Sequence, residues 1–366
     1  MSLAARLLSV LLLLAISSDV SSLPLRRGSF LSSTKMHNST FAVAATTQKQ
    51  PDVDVVSMNG HSSDVLQGAR AYYDPLTATP VDTMNSVEQT WEHLEELGEM
   101  LTRFSKSSLL LRAMAAGIFV GYGGILTSSV GFDMGHLPWL PGNGWYRFMT
   151  GAIGFPLSIL LISMTGTGAW TGDMLLVMKA FFGQFLTSDT TISTKKGAKK
   201  AKVGRITVKA LVRFSTLTWF GCLIGTCLMG AVATIANLPC IEPCIAITLH
   251  KLELTFLQIF ARGVLGGALI CLAIFMSKVN RDMIGKVIGI WFPISTYVMC
   301  DYEHVLASMF FMSVAKLNSN RPDITLNHIL KFLIPSTLGN LVGGGLFVGV
   351  LLSSVPRKIR PPIEAR

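Results

Sequence analysis

The sequence predicts an all-α membrane protein whose six transmembrane helices form an inverted 3+3 repeat with two broken helices. Half of the 366 residues are hydrophobic and only 14% are charged, whereas about 25% of residues are charged in soluble domains. Six apolar runs are each long enough to cross about 30 Å of hydrocarbon. The first three runs and the last three share motifs in the same order. Together these observations exclude an ordinary soluble enzyme.

The N-terminus has the composition of two targeting segments. Arg6 precedes an apolar stretch of signal-peptide length, LLSVLLLLAISS, so residues 1–22 are predicted to be a signal peptide. Residues 23–50 are rich in Ser and Thr, contain Arg and Lys, and lack Asp and Glu, as transit peptides do. The pair predicts bipartite targeting to a plastid acquired by secondary endosymbiosis. The alternative is a secretory-pathway protein of the plasma membrane with a disordered head.

A linker and an amphipathic helix separate these segments from the apolar runs. Residues 51–83 are polar and lack periodicity, which is typical of a disordered linker. Residues 84–106 place apolar side chains at helical spacing and glutamates on the other faces, which predicts a helix on the surface of the membrane domain. The apolar positions are Val87, Trp91, Leu94, Leu97 and Leu101.

The apolar runs define a membrane domain over residues 107–355, in contact with the lipid bilayer. The six predicted spans are residues 109–130, 148–186, 207–236, 255–277, 284–316 and 331–353. Basic residues crowd the segments 195–209 and 278–286 and the tail 356–366, all on one side of this topology. The positive-inside rule therefore places both termini in the cytosol or the stroma. This distribution accounts for the formal net charge of +10, so nucleic acid is not an expected partner.

Two runs are too long for one straight span, and polar or glycine residues interrupt each of them. The predicted breaks are residues 165–173 and 300–304. Arg112 and Arg262 each stand five residues before a glycine in the span that precedes a broken one. Because a unit of three spans is odd, the two copies must have opposite orientations, so the broken helices meet near the midplane and line a cavity.

Ionisable and hydroxyl residues at the breaks are the candidates for function. Glu303 and His304 lie inside a span, where ionisable residues mark ion or proton pathways. A neutral imidazole at position 304 can donate a hydrogen bond to an anion or protonate a weak acid, while Glu303 is expected to fix polar backbone between helices. Thr171 can offer its hydroxyl from the opposite half, or cap the following helix. Lys251, at the outer mouth, either attracts anions or snorkels into solvent.

Three segments resemble the signature segments of the formate/nitrite transporter family, and the resemblance covers about residues 85–355. They are GFPLSILLISMTGTGAWTGD, GKVIGIWFPISTYVMCDYEHVLASMFF and FLIPSTLGNLVGGGLFVGV. The resemblance implies an aquaporin-like protomer that assembles with itself as a homopentamer. Each protomer would have its own pore for a small monovalent anion such as formate, nitrite, lactate or hydrosulfide, with no cofactor and no metal.

The resemblance also assigns roles to individual residues. The family's central histidine aligns with His304, its broken-loop threonine with Thr171 and its outer lysine with Lys251. The hydrophobic constrictions on the two sides of the histidine fall on Phe155, Ile270 and Tyr297 toward the outside and on Ile159 and Ala169 toward the inside.

The chain departs from the family pattern at several pore positions. Three positions that hold asparagine in the family are Gly267, Cys222 and Ser308 here. The family's acidic residue in the first break is replaced by Gly168, and its glycine two residues before Glu303 is replaced by Asp301. Ala169 stands where the family has a bulky residue. These changes concern the substrate and its rate rather than the fold.

The sequence therefore predicts a channel or proton-coupled carrier, not an enzyme. It would pass nitrite or formate between two apolar constrictions, with His304 as the proton donor. The algal plastid members of the family, which are associated with nitrite, are the most similar in expected location, because residues 1–50 resemble a plastid targeting sequence. The alternatives are a member selective for lactate or hydrosulfide, and a neutral-solute pore of aquaporin type, which would need paired Asn-Pro-Ala motifs that the sequence lacks. An intramembrane catalyst using Glu303 and His304 is a further alternative. Whether Cys240 and Cys244 form a disulfide stays open.

Overall fold

A computed structural model describes residues 84–132, 147–186, 206–319 and 321–355. The predicted signal peptide, transit segment, linker and basic tail lie outside the described residues, so the domain boundaries that depend on them stay predictions. The described ranges fold as helices joined by short turns, which confirms the all-α class.

In the part of the first half that the structure describes, the chain forms five α-helices. They are α1 (Val87–Thr102), α2 (Lys106–Phe132), α3 (Pro156–Thr165), α4 (Trp170–Leu186) and α5 (Val208–Ile235). A π-helical turn, Thr150–Gly154, leads into α3. The amphipathic helix predicted over residues 84–106 is thus α1, which begins with a capping box between Ser86 and Gln89.

The described residues of the second half also form five α-helices. They are α6 (Ile241–Leu252), α7 (Phe256–Val279), α8 (Met283–Met299), α9 (Val305–Asn318) and α10 (Leu326–Asn340). The last helix continues as a π-helical segment, Leu341–Leu351, and ends in a 3-10 turn, Leu352–Ser354.

Five helices in the described part of the chain are long and apolar enough to cross a membrane. They are Lys106–Val130, Arg147–Thr165, Val208–Ile235, Phe256–Val279 and Leu326–Ser354. Two shorter apolar helices, α8 and α9, follow one another across the predicted second break. Each of these five helices coincides with all or part of a predicted apolar run, and the count of six spans stays a prediction.

The helices of the two halves pack in equivalent pairs. Helix α2 packs along α5 as α7 packs along α10, and α1 packs on α4 as α6 packs on α9. Glycines permit the close crossings of the first two pairs: a Cβ added at Gly117 would lie 2.4 Å from the carbonyl oxygen of Cys222, and one added at Gly267 would lie 2.6 Å from the Cα of Asn340. The repeat therefore extends to α1 and α6, which the sequence comparison did not pair.

Candidate functional site

Each of the two breaks separates the end of one helix from the start of the next. Residues 166–169 separate α3 from α4, and residues 300–304 separate α8 from α9. Gly166 and Asp301 have left-handed backbone, with φ of 70° and 57°. The first break is shorter than the predicted 165–173, because α4 already begins at Trp170. Thr171 is therefore in the first turn of a helix and not in the irregular segment.

His304 and Thr171 come together from the two halves of the chain. His304 is the N-cap residue of α9, has extended backbone and is 1% exposed. Its Nε2 lies 3.0 Å from Oγ1 of Thr171, although 133 residues separate the two in sequence. Its Nδ1 has no hydrogen-bond partner among the described residues. The contact places a hydroxyl of the first half on the imidazole of the second, as the inverted repeat predicted.

Glu303 and Lys251 form a buried ion pair beside this contact. Lys251 Nζ donates to Glu303 Oε2 at 2.5 Å, and Ser308 Oγ donates to the same oxygen at 3.2 Å. The ammonium also lies 5.8 Å from the ring centroid of Phe332. Both charged residues are buried, and burial of either charge is tolerable only when it is paired. The positive charge of Lys251 is therefore neutralised locally and does not stand free at the mouth. The carboxylate of Glu303 binds side chains, whereas the sequence predicted that it would bind backbone.

A cavity of about 320 Å³ leads from the protein surface to the imidazole. Its exposed end includes the side chains of His250, 61% exposed, and Asp301, 33% exposed, and its buried end includes His304. Asp301 accepts a hydrogen bond from Arg262 Nη1 at 2.7 Å and lies 3.6 Å from His250 Nε2. Lys251 also lines this cavity. The ionic groups are thus arranged along its wall and largely paired with one another.

Two of the predicted constriction residues surround the imidazole at the buried end of the cavity. The ring centroid of Phe155 lies 5.8 Å from that of Tyr297 and 6.5 Å from that of His304, and the Tyr297 and His304 centroids are 6.0 Å apart. All three pairs meet edge to face. The other predicted constriction residues, Ile270, Ile159 and Ala169, are buried but do not line this cavity, so their role stays a prediction.

Asn340 holds the second break in place, a role that sequence reasoning missed. Its Oδ1 accepts from the backbone N–H of Val305 at 2.9 Å, and its Nδ2 donates to the carbonyls of Gly263 at 2.8 Å and Glu303 at 2.9 Å. The available signal was a lone asparagine inside an apolar run, since a buried amide in a membrane helix needs partners. Its counterpart in the first half is Cys222, because the segments GCLIG (221–225) and GNLVG (339–343) match between the two halves.

Other polar residues near the breaks have structural partners. Asp173, in the first turn of α4, accepts a hydrogen bond from Arg112 Nη1 at 3.2 Å. Cys240 and Cys244 are free thiols in the structure and both are buried. Within the described ranges, no group of three or more His, Cys, Asp or Glu side chains is placed to hold a metal ion.

The fold and the site define a membrane protein in which two broken helices meet at a buried histidine, an architecture used by channels and secondary transporters. The sequence model described as "Formate/nitrite transporter" matches residues 88–354. The chain therefore belongs to the formate/nitrite transporter family and is an integral membrane protein.

Individual relatives and solved structures agree with this assignment. The chain is 30% identical to the uncharacterized transporter YrhG of Bacillus subtilis over 259 residues, which cover 70% of this chain and 88% of the relative. It is 26% identical to the formate channel FocB of Escherichia coli, with coverage of 70% and 90%. A solved "pentameric formate channel with formate bound" is similar at 27% identity and a TM-score of 0.53, covering 68% of this chain and 96% of that one. A solved "FNT family ion channel" has the same fold, with a TM-score of 0.61 at 21% identity and coverage of 72% and 97%.

Proposed function

We propose that this protein is a channel or proton-coupled carrier for formate or nitrite, and that His304 exchanges a proton with the permeating weak acid. The observation that carries the proposal is the contact between His304 Nε2 and Thr171 Oγ1, buried where a surface cavity ends. The relatives named as formate channels support the substrate class.

The proposed mechanism follows from the cost of moving a charge through an apolar zone. A desolvated anion is unstable between the Phe155 and Tyr297 rings on one side and Ile159 and Ala169 on the other, because these mostly apolar walls replace little of its hydration. Once protonated, the same solute crosses as a neutral acid. His304 is the group placed to supply that proton, and the hydroxyl of Thr171 holds its ring in position.

The ion pair of Lys251 and Glu303 contributes to the electrostatic potential in the cavity but does not block the route of the anion. Lys251 stays next to the cavity, where a positive charge favours anion entry, while Glu303 compensates most of that charge. The anion is thus attracted into the cavity but is not trapped there by an unpaired ammonium.

The proposal includes the topology, assembly and location of the protein. Six spans result when α8 and α9 together serve as the fifth, in two halves of opposite orientation. Five copies assemble, as in the similar pentameric formate channel, and each copy has its own pore. The composition of residues 1–50 favours the plastid envelope of an alga, and nitrite as the cargo there; the plasma membrane with formate is the alternative.

The test is uptake by liposomes that contain the full-length protein and a trapped pH dye, with the outside acidic. Pulses of formate, nitrite, lactate and chloride are applied in turn. We expect rapid entry of a weak-acid anion with a matching proton signal, and no entry of chloride.

The variant His304→Ala, checked as an intact oligomer by size exclusion, should lose this uptake. His93→Ala is the matched control because His93 is exposed on α1, and it should behave as the unmodified protein. Full uptake by His304→Ala would contradict the proposed role of His304. If the unmodified protein takes up none of the four anions but passes a neutral solute, the proposed anion pore is wrong and the protein is a neutral-solute pore.

A further inference from the structure

The hydroxyl group of Tyr297 is buried without a partner. Tyr297 is 4% exposed, and its Oη has no hydrogen-bond partner among the described residues. Its ring already packs edge to face on Phe155 and His304. A buried hydroxyl that makes no hydrogen bond destabilises the fold, because it has lost its contacts with water.

Packing alone does not explain a tyrosine at this position. A phenylalanine would make the same two ring contacts and would bury no unpaired polar atom. Unsatisfied polar groups that persist in a well-packed region are typical of sites that bind a ligand, where stability is sacrificed for function. The hydroxyl therefore requires an explanation from the cavity that Tyr297 lines.

The cavity offers few other donors at its buried end. Lys251 is engaged by Glu303. Thr127 and Thr150, which also line the cavity, donate their hydroxyls to backbone carbonyls. Phe155, Ala307 and Phe311 contribute apolar wall. Tyr297 is thus a neutral donor in the last part of the path before His304.

We infer that the Tyr297 hydroxyl donates a hydrogen bond to one oxygen of a small oxyanion, a carboxylate or nitrite, before the anion reaches His304. The inference rests on the proposed function and adds a specificity-determining residue to it. A phenol binds an oxyanion oxygen strongly, whereas sulfur is a weak acceptor. The outer constriction therefore favours oxyanions over hydrosulfide, and it is not a purely apolar barrier.

The test uses Tyr297→Phe in the full-length protein, assayed for initial formate uptake over a range of concentrations. The formate concentration that gives half-maximal uptake should rise about tenfold, as expected for loss of one hydrogen bond to an anion. Uptake of formate relative to hydrosulfide at equal concentration should fall. Tyr122→Phe makes the same chemical change on α2, where Tyr122 is 50% exposed, and should leave both quantities unchanged.

Thermal unfolding in detergent provides a second, independent readout. Without formate, Tyr297→Phe should unfold at a higher temperature than the unmodified protein, because no unpaired hydroxyl is buried. Added formate should raise the unfolding temperature of the unmodified protein more than that of the variant. An unchanged half-saturating concentration and an equal formate effect on unfolding would overturn the inference while leaving the proposed function intact. Absence of anion uptake by the unmodified protein would overturn the proposed function itself, and the inference with it.

Discussion

Arg112 on α2 and Arg262 on α7 make equivalent contacts in the two halves of the chain. Arg112 Nε donates to the carbonyl of Gly166 at 3.1 Å, and Arg262 Nη1 donates to the carbonyl of Asp301 at 3.4 Å. Both acceptors have left-handed backbone just after the first part of a broken helix. Each guanidinium also binds a carboxylate, that of Asp173 at 3.2 Å and that of Asp301 at 2.7 Å. The duplicated arginine thus anchors both breaks by the same chemistry.

The space beside Gly168 in the first break leaves no room for a side chain. Gly168 follows Gly166 by two residues as Glu303 follows Asp301. A Cβ at position 168 would lie 2.0 Å from Asp173 Oδ2 and 2.7 Å from Arg112 Cζ. The carboxylate of Asp173, on the following helical turn, therefore fills the space that a side chain at the first break would need.

We predict that Gly168→Ala separates Asp173 from Arg112 and destabilises the protein by about 1–3 kcal/mol, as overpacking commonly does. The measurement is the thermal unfolding temperature in detergent. Gly172→Ala is the control, since its new Cβ would meet only the flexible side chain of Ile274, at 3.0 Å. Gly168→Asp should also destabilise the protein. Adding Asp173→Ala to Gly168→Asp should recover part of that loss. Equal effects of the two alanine variants would contradict this account.

A second prediction concerns the buried pair of Lys251 and Glu303. Glu303→Gln leaves the ammonium buried without an opposite charge, and Lys251→Met leaves the carboxylate alone, so each should cost about 3–5 kcal/mol. The double variant should cost clearly less than the sum, because neither charge is then stranded. Unfolding temperatures of the four proteins form a double-mutant cycle, and additive losses would show that the two side chains act independently.

The sequence was sufficient to predict the helices and the meeting of the two halves. The length of hydrocarbon fixes the length of an apolar run, so the spans could be located without tertiary information. The shared motifs predicted that a break in each half meets the other, and this brought His304 and Thr171 into one expected site. These features depend on properties that are local or repeated along the chain.

Partners chosen by tertiary packing were not predictable in the same way. Glu303 pairs with Lys251 because α6 packs on α9, and no periodicity in the sequence indicates this packing. Asp173 reaches Arg112 only because Gly168 leaves space between them. The unpaired hydroxyl of Tyr297 is visible only once its surroundings are known, since the sequence predicts an aromatic ring at that constriction whether or not it carries oxygen.

A third prediction tests the hydroxyl of Thr171. Thr171→Val retains the branched shape but leaves His304 Nε2 without its partner at 3.0 Å, so the imidazole loses the contact that holds its ring in position. Formate-driven proton entry into liposomes should fall about fivefold to tenfold. Thr171→Ser keeps a hydroxyl at this position and should retain most of the rate. Equal rates for the valine and serine variants would show that the side chain serves packing alone.

The last prediction concerns Asn340, whose amide makes three hydrogen bonds to backbone of the second break and of α7. Asn340→Ala removes all three and leaves the buried N–H of Val305 and the carbonyl of Glu303 without these partners, which should cost about 3–5 kcal/mol. The equivalent position of the first half, Cys222, lacks an amide, so Cys222→Ala should cost far less. Thermal unfolding compares the two variants directly. If only Asn340→Ala lowers the unfolding temperature, the break before His304 depends on the amide of residue 340, and the break before Thr171 needs no such amide. Equal small losses of stability in the two variants would mean that helix packing alone holds both breaks.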